Sequence, residues 1–113
     1  MGDVIPFHGR PSLPEAVSRE DAATLVREVI EDSARIIWTQ HALDRMWDRG
    51  ISDRQVLQVL RRGEVITDPS LSDDRNWKFT MEADTAGDIV RVVLALDTDR
   101  MGNFVVVITV IAA

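Results

Sequence analysis

Three side chains whose types suit acid–base chemistry recur at intervals of four residues: His41, Arg45 and Arg49, hereafter the His–Arg row. On an α-helix this spacing keeps all three within about 80° of one another. An imidazole titrates near neutral pH, and a guanidinium group stays charged and can hold two phosphate oxygens together. The combination suits phosphodiester cleavage, because arginine can hold the reacting phosphate while histidine transfers a proton. Such a mechanism needs no metal ion or other cofactor, and we predict none.

Two aspartates support a different interpretation of the same surface. Asp44 and Asp48 immediately precede the two arginines of the row, and they follow His41 by three and seven residues. The row would then belong to an ordinary helix surface held in ion pairs, which contribute only about 0.2–1 kcal/mol each when exposed. The spacing alone has low specificity and leaves both interpretations open.

Three residues in the second half of the chain are weaker candidates. Lys78 and Arg91 lie on the polar sides of predicted strands, and we predict that they assist in binding a phosphate-bearing substrate. Thr109 is a polar residue inside the apolar run Val105–Ile111. It is either part of the site or a strand residue that bonds locally.

Composition narrows the classes of site and the cellular location. The chain has no cysteine, and one of its two histidines, His8, falls in a predicted arm, so a zinc site is not expected. The net charge of −6 argues against a general nucleic-acid binder, although residues 35–62 carry six basic and three acidic groups. Because the sequence has neither a secretory leader nor an apolar run of membrane length, we expect a cytoplasmic protein.

Hydrophobic periodicity predicts the helices that position these residues. Apolar residues at helical spacing indicate a first helix from Ser18 to about Ser33. The segment Arg35–Trp38 is predicted to be a short extended link, and Thr39 is predicted to cap a second helix that carries the His–Arg row and ends at Gly50. The predicted buried side of this helix contains Ala42, Leu43, Met46 and Trp47.

A third helix and a sheet complete the predicted domain. Ser52 followed by Gln55 has the spacing of a capping box, which predicts a helix that ends at Gly63. The apolar period then changes to two, which predicts strands at Trp77–Ala83, Ile89–Asp97 and Phe104–Ala112, with a short fourth strand at Glu64–Thr67. We therefore predict a flexible arm over residues 1–17 and one α+β domain over residues 18–113, in which two to three helices precede a three- to four-stranded antiparallel sheet.

Several segments resemble a known family. The segment Thr39–Ser52, with the sequence TQHALDRMWDRGIS, is similar to the bacterial DUF4258 family, as are Val56–Leu57 and Leu60–Ile66 after it. The later segments Asn76–Phe79 and Val106–Val110 also match the pattern of that family. The resemblance covers about residues 36–111, so it includes the His–Arg row.

The DUF4258 family in turn resembles the RelE-like group of small ribonuclease toxins, the barnase/colicin/RelE superfamily. This resemblance implies helices followed by an antiparallel sheet, RNA cleavage without a metal ion, and inhibition by a bound antitoxin. It implies the His–Arg row as the catalytic site, with Thr109 as a weaker candidate from the end of a strand. The chain departs from these toxins in its acidic composition, which lowers the affinity for a phosphate backbone.

Two functional hypotheses from different classes follow. The first is a toxin-type endoribonuclease in which His41 is the general acid or base and Arg45 and Arg49 hold the phosphate. The alternative is a non-catalytic module on the same scaffold that binds a protein or regulatory partner through residues 1–34. A homodimer that covers the apolar segment Phe104–Ile111 is compatible with either function.

Overall fold

The computed structural model describes residues 17–72 and 75–112. The predicted arm over residues 1–17 therefore lies outside the described part of the chain, except for Val17. The side chain of Val17 is half-buried and packs against the hydrophobic core. The boundary that we predict between arm and domain stays a prediction.

Three helices form as predicted: α1 at Arg19–Val29, α2 at Gln40–Arg49 and α3 at Asp53–Arg62. Each begins after a residue whose side-chain oxygen accepts a hydrogen bond from the first turn, namely Ser18, Thr39 and Ser52. The capping box predicted from Ser52 and Gln55 is confirmed, with both reciprocal hydrogen bonds present. A short 3-10 turn at Ser33–Arg35 follows α1, which ends earlier than predicted. No helix in the described part of the chain has the length and apolar character needed to cross a membrane.

The sheet is larger than predicted, and it is mixed. Its six strands have the order β1-β6-β5-β4-β2, with the short β3 also paired to β4. The strands are β1 at Ile36–Trp38, β2 at Glu64–Val65, β3 at Ser70–Leu71, β4 at Trp77–Thr85, β5 at Asp88–Thr98 and β6 at Phe104–Ala112. The predicted strands Ile89–Asp97 and Phe104–Ala112 are confirmed as β5 and β6, which pair antiparallel and form a hairpin.

The prediction of a three- to four-stranded, wholly antiparallel sheet is wrong at β1. The segment predicted to be a link pairs parallel to β6, with Ile36 opposite Val106 and Trp38 opposite Ile108. A strand of three residues is too short to show an alternating pattern, and its partner lies far away in the sequence. Parallel pairing also requires a long crossover connection, which here contains all the elements from α2 to β5.

All three helices contribute to a single core on one face of the sheet. Buried side chains of β4 and β5 alternate with exposed or half-buried ones, as in Trp77–Lys78–Phe79 and Val90–Arg91–Val92. The core therefore lies between the helices and this face, while Lys78 and Arg91 lie on the opposite, open face.

The carboxyl end of α3 approaches β4 closely at Gly63. The backbone N–H of Gly63 donates to the carbonyl of Val59 at 2.7 Å. A Cβ added at Gly63 would overlap the Val59 carbonyl oxygen and would lie 2.7 Å from the carbonyl oxygen of Glu82 in β4. The side chain of Arg27 in α1 holds the same end, because its Nε and Nη2 donate to the carbonyls of Arg61 and Gly63 at 2.8 and 2.9 Å. This junction leaves no room for a side chain at position 63.

Candidate active site

Helix α2 carries the His–Arg row, and Thr39 attaches its first turn to the sheet. The Thr39 hydroxyl accepts a hydrogen bond from the Ala42 backbone N–H at 3.2 Å and donates to the carbonyl of Ile108 in β6 at 2.8 Å. The backbone N–H of Thr39 donates to the same carbonyl at 3.2 Å. One residue therefore caps α2 and fixes its start relative to β6.

Replacing Thr39 by alanine is expected to lower the free energy of unfolding by about 1 kcal/mol, as is typical for the loss of an N-cap. Serine at the same position keeps the hydroxyl and is expected to retain most of this stability. Urea denaturation followed by circular dichroism measures both changes. An equal loss in the alanine and serine variants would show that the methyl group of Thr39, and not its hydroxyl, is the stabilising feature.

The members of the row lie on one side of α2, as the spacing predicted. His41 is in the first turn and is exposed, Arg45 is half-buried in the middle, and Arg49 is exposed at the last position of the helix. Gly50 ends the helix in the left-handed conformation with φ of 65°, where its N–H reaches the carbonyls of the last turn. The row therefore lies on a helix that is capped at both ends.

The aspartates beside the row do not form ion pairs with it. Asp44 accepts a hydrogen bond from the side-chain amide of Gln40 at 2.9 Å. Among residues 17–72 and 75–112, the ion pairs are Arg19–Asp68, Arg35–Asp32 and Arg91–Glu82, and none of them involves α2. The interpretation of the row as an ion-paired helix surface is therefore not supported within the described part of the chain.

Arg45 has an unsatisfied buried donor. Its Nε is buried and has no hydrogen-bond partner among the described residues. Buried polar groups in folded proteins are nearly always paired, and leaving one unpaired costs about 1–3 kcal/mol. Because Nε is shielded from solvent, this donor would meet an acceptor from outside the chain only after the Arg45 side chain moves.

Lys78 and Arg91 do not join the row. Both lie on the open face of the sheet, whereas α2 packs over β6 on the helical face. The Nε of Arg91 also donates a hydrogen bond to the Oε1 of Glu82 on the neighbouring strand, at 2.6 Å. Lys78 lies on β4, which is three strands away from β1, so it lies about 14 Å from the edge of the sheet that β1 forms. Their predicted role in substrate binding would therefore concern a separate surface from that of His41.

Thr109 lies in a β-bulge of β6. Val93 of β5 pairs with Val110 and Leu94 pairs with Ile108, so Thr109 is an additional residue between two regular pairs. Its hydroxyl donates to the carbonyl of Val93 at 2.9 Å. This hydrogen bond to the neighbouring strand agrees with the interpretation of Thr109 as a structural strand residue. The residue still lies close to the start of α2, since its carbonyl oxygen is 3.4 Å from the Thr39 hydroxyl.

A second surface of α2 is apolar, and the sequence did not predict its exposure. Leu43 and Trp47 were predicted to be buried, but their side chains are 42% and 88% exposed. Only Ala42 and Met46 of the predicted set are buried. The predicted buried arc was too wide, because α2 contacts the sheet through one narrow side. A cavity of about 470 Å³ beside Trp47 is lined by Leu43, Met46, Trp47, Gly50, Ile51 and Ser52.

No group of three or more histidine, cysteine, aspartate or glutamate side chains in the described part of the chain is arranged to hold a metal ion. The donors of the His–Arg row are one imidazole and two guanidinium groups. Guanidinium groups do not coordinate metals, since they remain protonated and have no acceptor. The row is therefore suited to an anionic ligand.

Comparison with known proteins identifies a family. No curated protein and no solved structure shows significant similarity to the chain. The model of one family, described as a domain of unknown function (DUF4258), matches residues 38–112. This match contains α2, α3 and the three long strands, and it confirms the family resemblance seen in the segment Thr39–Ser52. The chain belongs to the DUF4258 family.

Proposed function

We propose that this protein is a metal-independent endoribonuclease of toxin type whose active site is the His–Arg row. The observation that carries the proposal is the absence of ion pairs to Arg45 and Arg49 within residues 17–72 and 75–112. Two cations without ion pairs beside an exposed imidazole favour an anionic ligand. A phosphodiester is the anion on which this set of groups can perform chemistry.

The proposed reaction is an internal transfer at phosphorus. The ribose 2′-oxygen attacks the adjacent phosphorus and gives its proton to the neutral imidazole of His41, while the bond from phosphorus to the 5′-oxygen breaks. The leaving oxygen takes a proton from water, and the proton that His41 accepted is then released to the resulting hydroxide. The products are a 2′,3′-cyclic phosphate and a 5′-hydroxyl, and His41 is regenerated. Arg45 and Arg49 hold the non-bridging oxygens and stabilise the charge that develops on them.

The proposal extends the resemblance to RelE-like toxins from sequence to activity. A toxin of this type would act on RNA in the bacterial cytoplasm and would be silenced by an antitoxin. The order of helices before the long antiparallel strands β4, β5 and β6 is compatible with that group. Because the chain is acidic overall, RNA binding depends on the arginines of α2 and α3 and not on attraction by the net charge of the protein.

Incubation of purified protein with a mixed RNA in excess chelator tests the proposal. We expect cleavage of RNA, products that end in a cyclic phosphate, and no cleavage of a DNA of the same sequence, because DNA lacks the attacking 2′-hydroxyl. Expression in a bacterium is expected to arrest growth. Cleavage of RNA and DNA at equal rates, or cleavage abolished by chelator, would contradict the proposed mechanism.

A second candidate function is the non-catalytic binding module, and the exposed apolar side of α2 favours it. Trp47 and Leu43 are one helical turn apart and border a cavity, and exposed aromatic side chains are typical anchors of protein interfaces. The acidic residues Asp44 and Asp48 adjoin this side of the helix. The partner that fits is therefore an amphipathic segment with apolar side chains and a basic border.

Replacing Trp47 by alanine is expected to change the free energy of unfolding by less than about 0.5 kcal/mol, since the side chain is 88% exposed. The same change is expected to abolish binding of a synthetic amphipathic helix that has leucines on one face and lysines beside them. Fluorescence anisotropy of the labelled peptide measures this binding. Ile89→Ala is the matched control, because Ile89 is an exposed apolar residue on the open face of the sheet. Equal binding by wild type and Trp47→Ala would contradict the docking role.

A further inference from the structure

The outer surface of α3 carries two arginines that form no ion pair with a described acidic residue. Arg54 and Arg61 are seven residues apart, which places them within about 20° of each other on the helix and about 10 Å apart along its axis. Gln58 lies between them on the same side. The buried residues Val56 and Val59 face the core on the other side.

The surroundings of this surface are basic and polar. A groove of about 320 Å³ along α3 is lined by Arg54, Leu57, Gln58, Arg61 and Arg62. Arg27 of α1 adds a further guanidinium at the carboxyl end of α3, where it donates to the Arg61 and Gly63 carbonyls. Within residues 17–72 and 75–112, none of the ion pairs involves α3. A positive surface therefore lies on a chain whose net charge is −6.

Arg62 lines the same groove, at its border with an acidic cavity. It borders a second cavity together with three acidic residues, Glu64, Glu82 and Asp84. These carboxylates reduce the positive potential at the Arg62 end of the groove. The control arginine is therefore taken from outside α3: Arg100 is exposed in the turn between β5 and β6 and forms no ion pair with a described residue.

The α3 surface is close to the His–Arg row along the chain. Arg49 is the last residue of α2 and Arg54 is the second residue of α3. Five peptide units separate them, so their Cα atoms are at most about 19 Å apart. A single strand that enters at the row can therefore reach α3 within a few nucleotides.

We propose that Arg54 and Arg61 bind phosphates of the same RNA strand beyond the scissile bond. This inference rests on the proposed function and gives its substrate class: an extended single strand, and not a dinucleotide. Arginine is suited to this role because its fork geometry matches phosphate oxygens and needs no particular base. The affinity supplied by α3 is therefore independent of sequence and sensitive to salt.

Binding of a labelled twelve-nucleotide RNA to the His41→Ala protein tests the inference, since this variant is expected to cleave the RNA at least about a hundredfold more slowly. We expect the Arg54→Ala/Arg61→Ala variant to bind about tenfold more weakly at low salt. The slope of log K against log salt concentration is expected to fall by about 1.4, which is about 0.7 for each of two lost contacts to a single strand. A trinucleotide is expected to bind equally to both proteins. Arg100→Ala is expected to leave the slope for the long RNA unchanged.

Three outcomes would overturn the inference: an unchanged slope in the double variant, an equal loss in Arg100→Ala, or binding of polyglutamate with the same dependence on Arg54 and Arg61. The last result would mean that α3 binds an acidic protein. Cleavage is not part of this readout. RNA that binds through α3 but is never cut by the wild type would contradict the nuclease and leave the binding surface intact.

Discussion

His41→Ala is expected to lower the rate of RNA cleavage by about a hundredfold to ten-thousandfold, which is the usual contribution of a positioned acid or base. The exposed imidazole has no hydrogen-bond partner among the described residues, so its removal should not disturb the fold. The rate is measured with a labelled RNA in excess chelator. Circular dichroism and urea denaturation of the variant are expected to match those of the wild type.

Two substitutions of Arg45 are compared with His41→Ala, because they test a second member of the His–Arg row. Arg45→Lys keeps the positive charge but loses the planar fork and the Nε donor, so an intermediate loss of activity is expected. Arg45→Ala loses both, and its activity should fall further.

Full cleavage by His41→Ala would contradict the assignment of His41, whereas an unfolded His41→Ala protein would show that the imidazole is structural.

Gly63→Ala is expected to lower the free energy of unfolding by about 3 kcal/mol, at the upper end of the effects of overpacking. The added Cβ would overlap the backbone of α3 and would press against the carbonyl oxygen of Glu82. Both neighbours are backbone atoms, so neither can move aside as a side chain would. Urea denaturation at equilibrium measures the change, and the protein must be shown to remain monodisperse.

Gly50 is the control that separates crowding from backbone conformation. A Cβ at Gly50 would meet no atom within 4 Å, but the residue has φ of 65°. Gly50→Ala should therefore cost about 1–2 kcal/mol through backbone strain, and Gly50→Asn less, since asparagine tolerates this conformation. Asparagine at position 63 should give no such relief. A Gly63→Ala protein as stable as the wild type would contradict the close packing of α3 on β4.

The helices were predictable because their signals are local. A capping residue, an apolar period and a terminal glycine lie within about ten residues of one another, and tertiary packing did not override them. The capping box of Ser52 and Gln55 is the clearest example. The strands of the hairpin were predictable for the same reason, since β5 and β6 are long and adjacent in sequence.

The features that were missed depend on contacts between distant segments. The strand β1 is defined only by its pairing with β6, and the bulge at Thr109 is defined only by its register against β5. The exposure of Trp47 depends on how far α2 extends over the sheet, which no local pattern specifies. For the candidate site, spacing predicted that the His–Arg row shares one side of a helix. The absence of partners for Arg45 required the structure.

The attachment of α2 to β6 through Thr39 also has a consequence for the order of folding on the ribosome. The carbonyl of Ile108 in β6 accepts the hydrogen bond from the Thr39 hydroxyl, and β6 also pairs with Ile36–Trp38. This strand is synthesised long after α2 itself. Until β6 emerges, α2 has no fixed position relative to the sheet, and long-range pairing of this kind forms slowly. A nascent chain therefore carries the His–Arg row on an unanchored helix, and a positioned site arises only when β6 has been made. Any activity of this site would be delayed until the antiparallel hairpin is complete.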